Sequence, residues 1–263
     1  QVLTKDLRQK LIIFGSNGYL GSYFKKKLKK NYKIISINSQ NIDSFFKLKN
    51  LNEIFSSSQI LYLVLKNSKT KFLETNLKIL NQIISKIPKD KIKKFFLIAS
   101  THSHNKLYLK FNKLREKIIK NKFKDKSYIL CPGKVYGYKI IKSNYGINSF
   151  LNDVKKNELN IYGTGKNYCP HTYIEDLTTV TKLFLKNNYK PHNYYLYNDK
   201  KINFLDIAKK IKSFHKNNSK IKINFFGKSL NYKIKKPYNF KKNSFVFSDM
   251  NLNLKKIVNE KKI

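Results

Sequence analysis

The stretch Gly15-Ser16-Asn17-Gly18-Tyr19-Leu20-Gly21 constrains this chain more than any other feature, because of what flanks it. Lys10 to Phe14 reads as a short buried strand, and Tyr19 to Lys30 as a helix whose apolar Leu20, Tyr23, Phe24 and Leu28 face inward. Three glycines at a strand-to-helix junction each have a physical use. The first permits a tight turn, the second lets the backbone approach a ligand, and the third lets the helix pack closely. The helix N-terminus then points N–H groups and a partial positive charge at whatever sits over the loop, which favours phosphate. A glycine triplet standing alone is equally a plain β-to-α turn. Flanked as it is here, it reads as a cradle for a dinucleotide pyrophosphate, with Gly15, Asn17, Gly18, Tyr19, Leu20 and Gly21 around the cofactor.

The rest of the first half continues the alternation. Tyr32 to Asn38 reads as a strand and, after a weakly patterned stretch, Gln59 to Leu65 as another. Phe72 to Ile87 reads as a helix ended by Pro88, Lys94 to Ala99 as a strand, Tyr108 to Lys120 as a helix and Ser127 to Leu130 as a strand. Strands alternating with helices predict a Rossmann-type α/β fold, a doubly wound parallel sheet with helices on both faces. Beyond Gly133 the pattern loosens into a helix (Ile147 to Asn157), a strand (Asn160 to Tyr162), a glycine turn and helices near Glu175 to Leu185 and Phe204 to Phe214. The expected division is a dinucleotide-binding domain over 1–146 and a smaller substrate lobe over 147–263, packed discontinuously against it. Such a lobe would stand at the C-terminal strand ends, where open α/β sheets bind ligands.

Charge is the most conspicuous compositional feature and a poor guide to partners. The formal net charge is +41, with 56 Lys and Arg in 263 residues. A nucleic-acid surface exploits the arginine fork and gathers its charge on one face. Here only Arg8 and Arg115 are arginine, only Ala99 and Ala208 are alanine, and lysines run evenly from Lys5 to Lys262, as an AT-rich coding sequence produces. Nucleic acid is therefore not the expected partner, although the charge draws anionic ligands toward any cleft. Cys131 and Cys169 make no disulfide framework, and no Cys/His spacing suggests a metal site, so a reducing cytoplasm is the expected compartment. Apolar runs such as Gln59 to Leu65 are strand-sized, far short of the roughly 20 residues of a membrane helix.

The acid that binds an adenosine ribose 2′-hydroxyl is expected about 20 residues after the loop. That place holds Asn38, followed by Ser39. With no carboxylate there to repel a 2′-phosphate, the cofactor is NAD or NADP with a lean to NADP.

The spacing Gly-x-x-Gly-x-x-Gly resembles that of the extended short-chain dehydrogenase/reductases, the sugar-nucleotide epimerase/dehydratase family. Glu74-Thr75-Asn76-Leu77 is similar to the family's Asn-bearing helix start. The run from Ile129 through Cys131-Pro132-Gly133-Lys134-Val135-Tyr136-Gly137 resembles its Arg-Pro-x-x-Val-Tyr-Gly segment, with Cys131 in place of the usual Arg. Ile161-Tyr162-Gly163-Thr164-Gly165 and Thr172-Tyr173-Ile174-Glu175-Asp176-Leu177 resemble its glycine turn and Tyr-Val-x-Asp-Leu stretch, Cys169 again replacing an Arg. The resemblance implies further cofactor contacts at Leu65, Pro132 and Val135, a nucleotide-sugar substrate, a homodimer, and a setting in surface-polysaccharide biosynthesis.

It also implies a catalytic set. In the family a Ser or Thr after a sheet strand orients the substrate oxygen, and a Tyr four residues before a Lys is the general acid/base. The lysine matters because an unperturbed Tyr titrates near 10 and needs a cation to act as a base at neutral pH. Ser100, Thr101 and Tyr108 match, and Glu116 matches a further helix position, but the residue four after Tyr108 is Asn112. Lys113 is one position further, about 100 degrees around a helix, and could substitute only through a late helix start or a bulge. His102 and His104 flank the same loop. Asp176 is expected to anchor the start of its helix rather than act in catalysis. A chain that retains dinucleotide binding without turnover is the alternative reading.

Overall fold

The computed structural model describes residues 8–65, 71–100, 106–137, 146–216, 218–228, 235–240 and 245–260. Its elements are β1 (Gln9–Phe14), α1 (Tyr19–Leu28), β2 (Tyr32–Ile37), α2 (Ile42–Phe45), α3 (Leu51–Phe55), β3 (Gln59–Tyr62), α4 (Phe72–Ser85), β4 (Lys94–Ile98), α5 (Lys106–Phe123) and β5 (Ser127–Pro132). They continue with β6 (Lys134–Tyr136), α6 (Ile147–Asp153), β7 (Glu158–Tyr162), β8 (His171–Tyr173), α7 (Ile174–Lys186), β9 (Asn193–Leu196), α8 (Phe204–Phe214), β10 (Lys222–Phe226) and α9 (Met250–Glu260).

Six strands form one sheet in the order β2-β1-β3-β4-β5-β9, and the pairs β1/β2, β1/β3, β3/β4 and β4/β5 are parallel. This is the expected doubly wound α/β sheet. A parallel sheet covered on both faces needs continuous apolar strands. Leu11, Ile12, Ile13 and Phe14 of β1, Ile60 and Leu61 of β3, and Phe95, Phe96 and Leu97 of β4 are accordingly fully buried. The lysines act at the rims, where helices end with unpaired carbonyls. Lys94 Nζ donates to the carbonyls of Phe184 (3.1 Å) in the last turn of α7 and Asn187 (2.6 Å) just past it, and Lys122 Nζ to those of Ile84 and Ser85 at the end of α4. Burial holds both ammonium groups below the usual lysine range.

Contacts divide the chain into two compact units. The first comprises Gln1–Ala99, Asn105–Cys131 and Thr181–Tyr194, the second Ser100–His104, Pro132–Val180 and Tyr195–Ile263. In the second, two-stranded parallel ladders β6/β8 and β7/β10 accompany the helices. Thr172 ties this unit together: buried at 1% exposure, its hydroxyl donates to Leu196 O at 2.6 Å and accepts from Gly133 N–H at 2.9 Å. We expect Thr172→Val to lower unfolding stability by about 1–3 kcal/mol in urea titrations, because it strands a buried N–H and a buried carbonyl together.

Several elements lie outside the sequence-based expectation. The weakly patterned stretch holds α2 and α3, which bury Phe45 and Phe55 against each other at 5.9 Å, Phe45 also meeting Phe14 at 6.3 Å. The strand expected to reach Leu65 stops at Tyr62; Leu63 N–H still donates to Phe14 O at 3.0 Å, and Leu63 and Val64 border Gly15. The helix expected over Ile147 to Asn157 ends at Asp153 and closes through a 3-10 turn to Asn157 in the left-handed conformation.

Candidate dinucleotide site

The glycine loop is built from obligate close approaches. Gly15 has φ +86°, which an L side chain rarely adopts, and a Cβ there would lie 3.1–3.3 Å from Leu63 and Val64. The N–H groups of Gly15 and Ser16 both donate to Ile37 O, at 2.8 and 3.1 Å, anchoring the loop to the end of β2. Gly21 packs so tightly that a Cβ would fall 2.1 Å from Gly15 O. Gly18 is the N-cap of α1, with no side-chain cap and no acid in the first turn, so the helix end is left to an anion. Asn17 and Gly18 are exposed, Tyr19 and Leu20 are half-buried, and the Ser16 hydroxyl is fully buried without a hydrogen-bond partner. This loop fits a pyrophosphate: it pairs a backbone cradle that no Cβ could enter with a helix N-terminus bearing no competing acid.

At the end of β2, Asn38 is half-buried and Ser39 exposed. The Asn38 amide oxygen accepts Gln40 N–H at 2.8 Å, and its own N–H donates to the Asn41 side chain at 2.7 Å, so a local turn holds it in place. Leu65 is 46% exposed.

Helix α5 carries the catalytic candidates. It is a regular α-helix from Lys106 to Phe123, without the late start or bulge that Lys113 would require. Asn112 is 4% exposed and faces inward, whereas Lys113 is exposed. The lysine therefore does not replace Asn112 on the inner face. Neither atom of the Asn112 amide has a hydrogen-bond partner, so the protein itself leaves this buried polar group unsatisfied. Tyr108, one turn earlier, is half-buried with its ring 6.0 Å from Phe72. Glu116 accepts Asn193 Nδ2 at 2.9 Å. Ser100 is half-buried just after β4, while Thr101, His102 and His104 lie outside the described residues.

Cys131 is buried near the end of β5, and burial, reinforced by Glu116, pushes its thiol up to about 12, so it stays neutral. In the second unit Pro132 is buried and Val135 half-buried, with Val135 O accepting Asn148 Nδ2 at 3.0 Å. Cys169 is buried, and neither it nor Cys131 is in a disulfide. Among the described residues no group of three or more His, Cys, Asp or Glu is placed to hold a metal, and no helix is long and apolar enough to cross a membrane.

Asp176, in the first turn of α7, accepts both Ser248 N–H (3.0 Å) and Ser248 Oγ–H (2.7 Å). Asn253 Nδ2 donates in turn to Ser248 Oγ and to the Tyr136 hydroxyl. The carboxylate thus organises the approach to α9. Burial raises its pKa, the two Ser248 bonds partly opposing this. A carboxyl whose pKa is higher folded than unfolded contributes stability that is complete below the unfolded value and lost as pH rises through the folded one. Asp176→Asn, which keeps an acceptor for Ser248, should therefore gain in melting temperature relative to wild type as pH rises from about 4 toward neutrality.

Arg115 is a buried charged residue that the sequence motifs do not single out. It is 2% exposed on α5, and its rarity as an arginine in a lysine-rich chain was the available signal.

Compared by sequence, no protein-family model and no curated protein matches the chain. Compared by structure, it is similar to the UDP-N-acetylglucosamine 4-epimerase of Methanobrevibacter ruminantium in complex with UDP-N-acetylmuramic acid, with TM-score 0.76 and 16% identity over 97% of this chain and 99% of that one. It is similar to an NAD-dependent NDP-hexosamine 5,6-dehydratase of tunicamycin biosynthesis, with TM-score 0.75 and 12% identity over 96% and 97% of the two chains. A GDP-L-fucose synthetase of Naegleria fowleri bound to NADP gives TM-score 0.72 and 15% identity over 98% and 93%. At these identities the likeness concerns the fold. The chain has the Rossmann-type fold of the sugar-nucleotide epimerases, dehydratases and reductases that its motifs resemble.

Proposed function

We propose that this chain is an NAD(P)-dependent enzyme of the extended short-chain dehydrogenase/reductase type. It would epimerise, dehydrate or reduce a nucleotide-linked sugar, in the cytoplasm and in the service of surface-polysaccharide synthesis. The observation that carries the reading is the glycine cradle, with Gly21 pressed on Gly15 O and an acid-free helix end, set in a fold matched along the whole chain by sugar-nucleotide enzymes. When bound, the dinucleotide supplies a hydride acceptor or donor. In this reading the loop N–H groups hold its pyrophosphate and Asn38 leaves room for a 2′-phosphate. Leu65, Pro132 and Val135 border the cofactor. Asn112 donates to and accepts from its ribose hydroxyls, satisfying both orphaned amide atoms. Ser100 or Thr101 polarises the sugar oxygen, and the Tyr108 hydroxyl gives or takes that oxygen's proton.

One observation favours a second reading, a protein that binds the dinucleotide without turnover. The inner face of α5 carries an uncharged amide where the resembling family carries the cation that activates its tyrosine, and Lys113 is turned away. Purified protein incubated with NADH or NADPH and a 4-keto nucleotide sugar, with reduced nicotinamide followed by absorbance, tests both. Turnover supports the enzyme; saturable cofactor binding with no turnover on keto, hexose and hexosamine nucleotides supports the binder. Failure to bind either dinucleotide overturns both.

A further inference from the structure

Arg115 is the one buried charge on α5 that the proposed chemistry leaves unused. One of its terminal nitrogens reaches Ile98 O, at the end of β4, only at 3.4 Å, and its Nε has no hydrogen-bond partner. Among the described residues no carboxylate pairs with it. Burying a guanidinium without a counter-ion is costly, and retaining one in a chain that uses lysine nearly everywhere points to a need for its planar shape. That shape is used: the guanidinium lies over the Phe111 ring, 5.2 Å from its centroid. Phe111 meets Phe72 edge-on at 5.8 Å, and Phe72 carries the Tyr108 ring at 6.0 Å. A continuous chain of ring contacts thus runs from a fixed cation to the phenol.

We infer that Arg115 is a positioning residue: its guanidinium, held between the Phe111 face and the Ile98 carbonyl, fixes the chain of ring contacts that aims Tyr108. The inference rests on Tyr108 being the acid/base, and a readout independent of turnover keeps the two separable.

Hydrogen exchange read by mass spectrometry supplies it. Arg115→Leu should speed exchange of the 106–112 segment by about tenfold while α1 is unchanged, a local loosening rather than global destabilisation. In turnover, kcat should fall about tenfold with KM for the nucleotide sugar unchanged, the signature of a misaimed acid/base. If Arg115→Leu does not fold, Arg115→Lys carries the test, because it keeps the charge and loses the planar stack, so the same segment should loosen. Unchanged exchange and unchanged kcat, or a loss spread evenly over all helices, overturns the positioning role. Local loosening in a protein that turns nothing over supports the positioning role and overturns the catalytic reading of Tyr108.

Discussion

Gly21→Ala should lower affinity for NADH and NADPH by about 100-fold or more in fluorescence titrations, nearly 3 kcal/mol of binding free energy. The added Cβ would sit 2.1 Å from Gly15 O, 2.8 Å from Ser16 Cα and 2.9 Å from Gly15 C, and every one of these atoms is backbone. No side chain can swing aside. The loop cannot yield either, because Gly15 and Ser16 are tied to Ile37 O and Gly15 is backed by Leu63 and Val64. Helix α1 must therefore back away, carrying off the N–H groups that would meet the pyrophosphate, and this overpacking should cost about 1–3 kcal/mol of stability as well. Gly18→Ala is the control. Its Cβ would stand 3.3 Å from Gly15 O, and Gly18 has φ −67°, a value any residue adopts, so its effect should be several-fold smaller. Wild-type affinity in Gly21→Ala would remove the loop from the cofactor site.

Asn112 should show the opposite balance between stability and function. Its amide is buried with neither atom satisfied, so Asn112→Leu, close in volume and without polar atoms, should raise the stability of the ligand-free protein by about 1 kcal/mol. The same change should weaken dinucleotide binding by about tenfold, since each ribose hydrogen bond lost to an apolar side chain costs of that order. A structural asparagine would show loss on the first measurement and nothing on the second. Asn112→Lys completes the argument from the chemical side. It restores a cation one helical turn from Tyr108, and turnover should rise by about tenfold at neutral pH as the phenolate becomes accessible. A weak activity that does not respond at all would mean that Asn112 does not occupy the cation's place.

Much of this molecule was legible before any coordinates. Strand–loop–helix alternation from Lys10 to Leu130 predicts a parallel sheet, since continuous apolar strands and amphipathic helices report burial through local periodicity. The glycine spacing likewise announces its own geometry, because only glycine tolerates the φ of Gly15 and the contact of Gly21. Short pieces were not legible. β6 and β8 have three residues each and exist because they pair with one another, and α2 and α3 are held by the Phe45–Phe55 contact rather than by a periodic pattern. Helix α9, with Leu254, Ile257 and Val258 buried at helical spacing, carried a readable signal that the sequence-based assignment, which ends at Phe214, did not include.

Helix α5 divides the two kinds of information most clearly. By itself the sequence determined that a tyrosine is followed four residues later by asparagine and five later by lysine, and that an unbroken helix would separate the two by about 100 degrees. Only the tertiary structure decided that the helix is in fact unbroken, that Asn112 is the inward residue, that its amide is left unsatisfied, and that the buried cation of α5 is Arg115, set over the Phe111 ring. Periodicity is a property of neighbours along the chain. The partners of a buried polar group come from distant strands and helices, and they are fixed only when those elements pack.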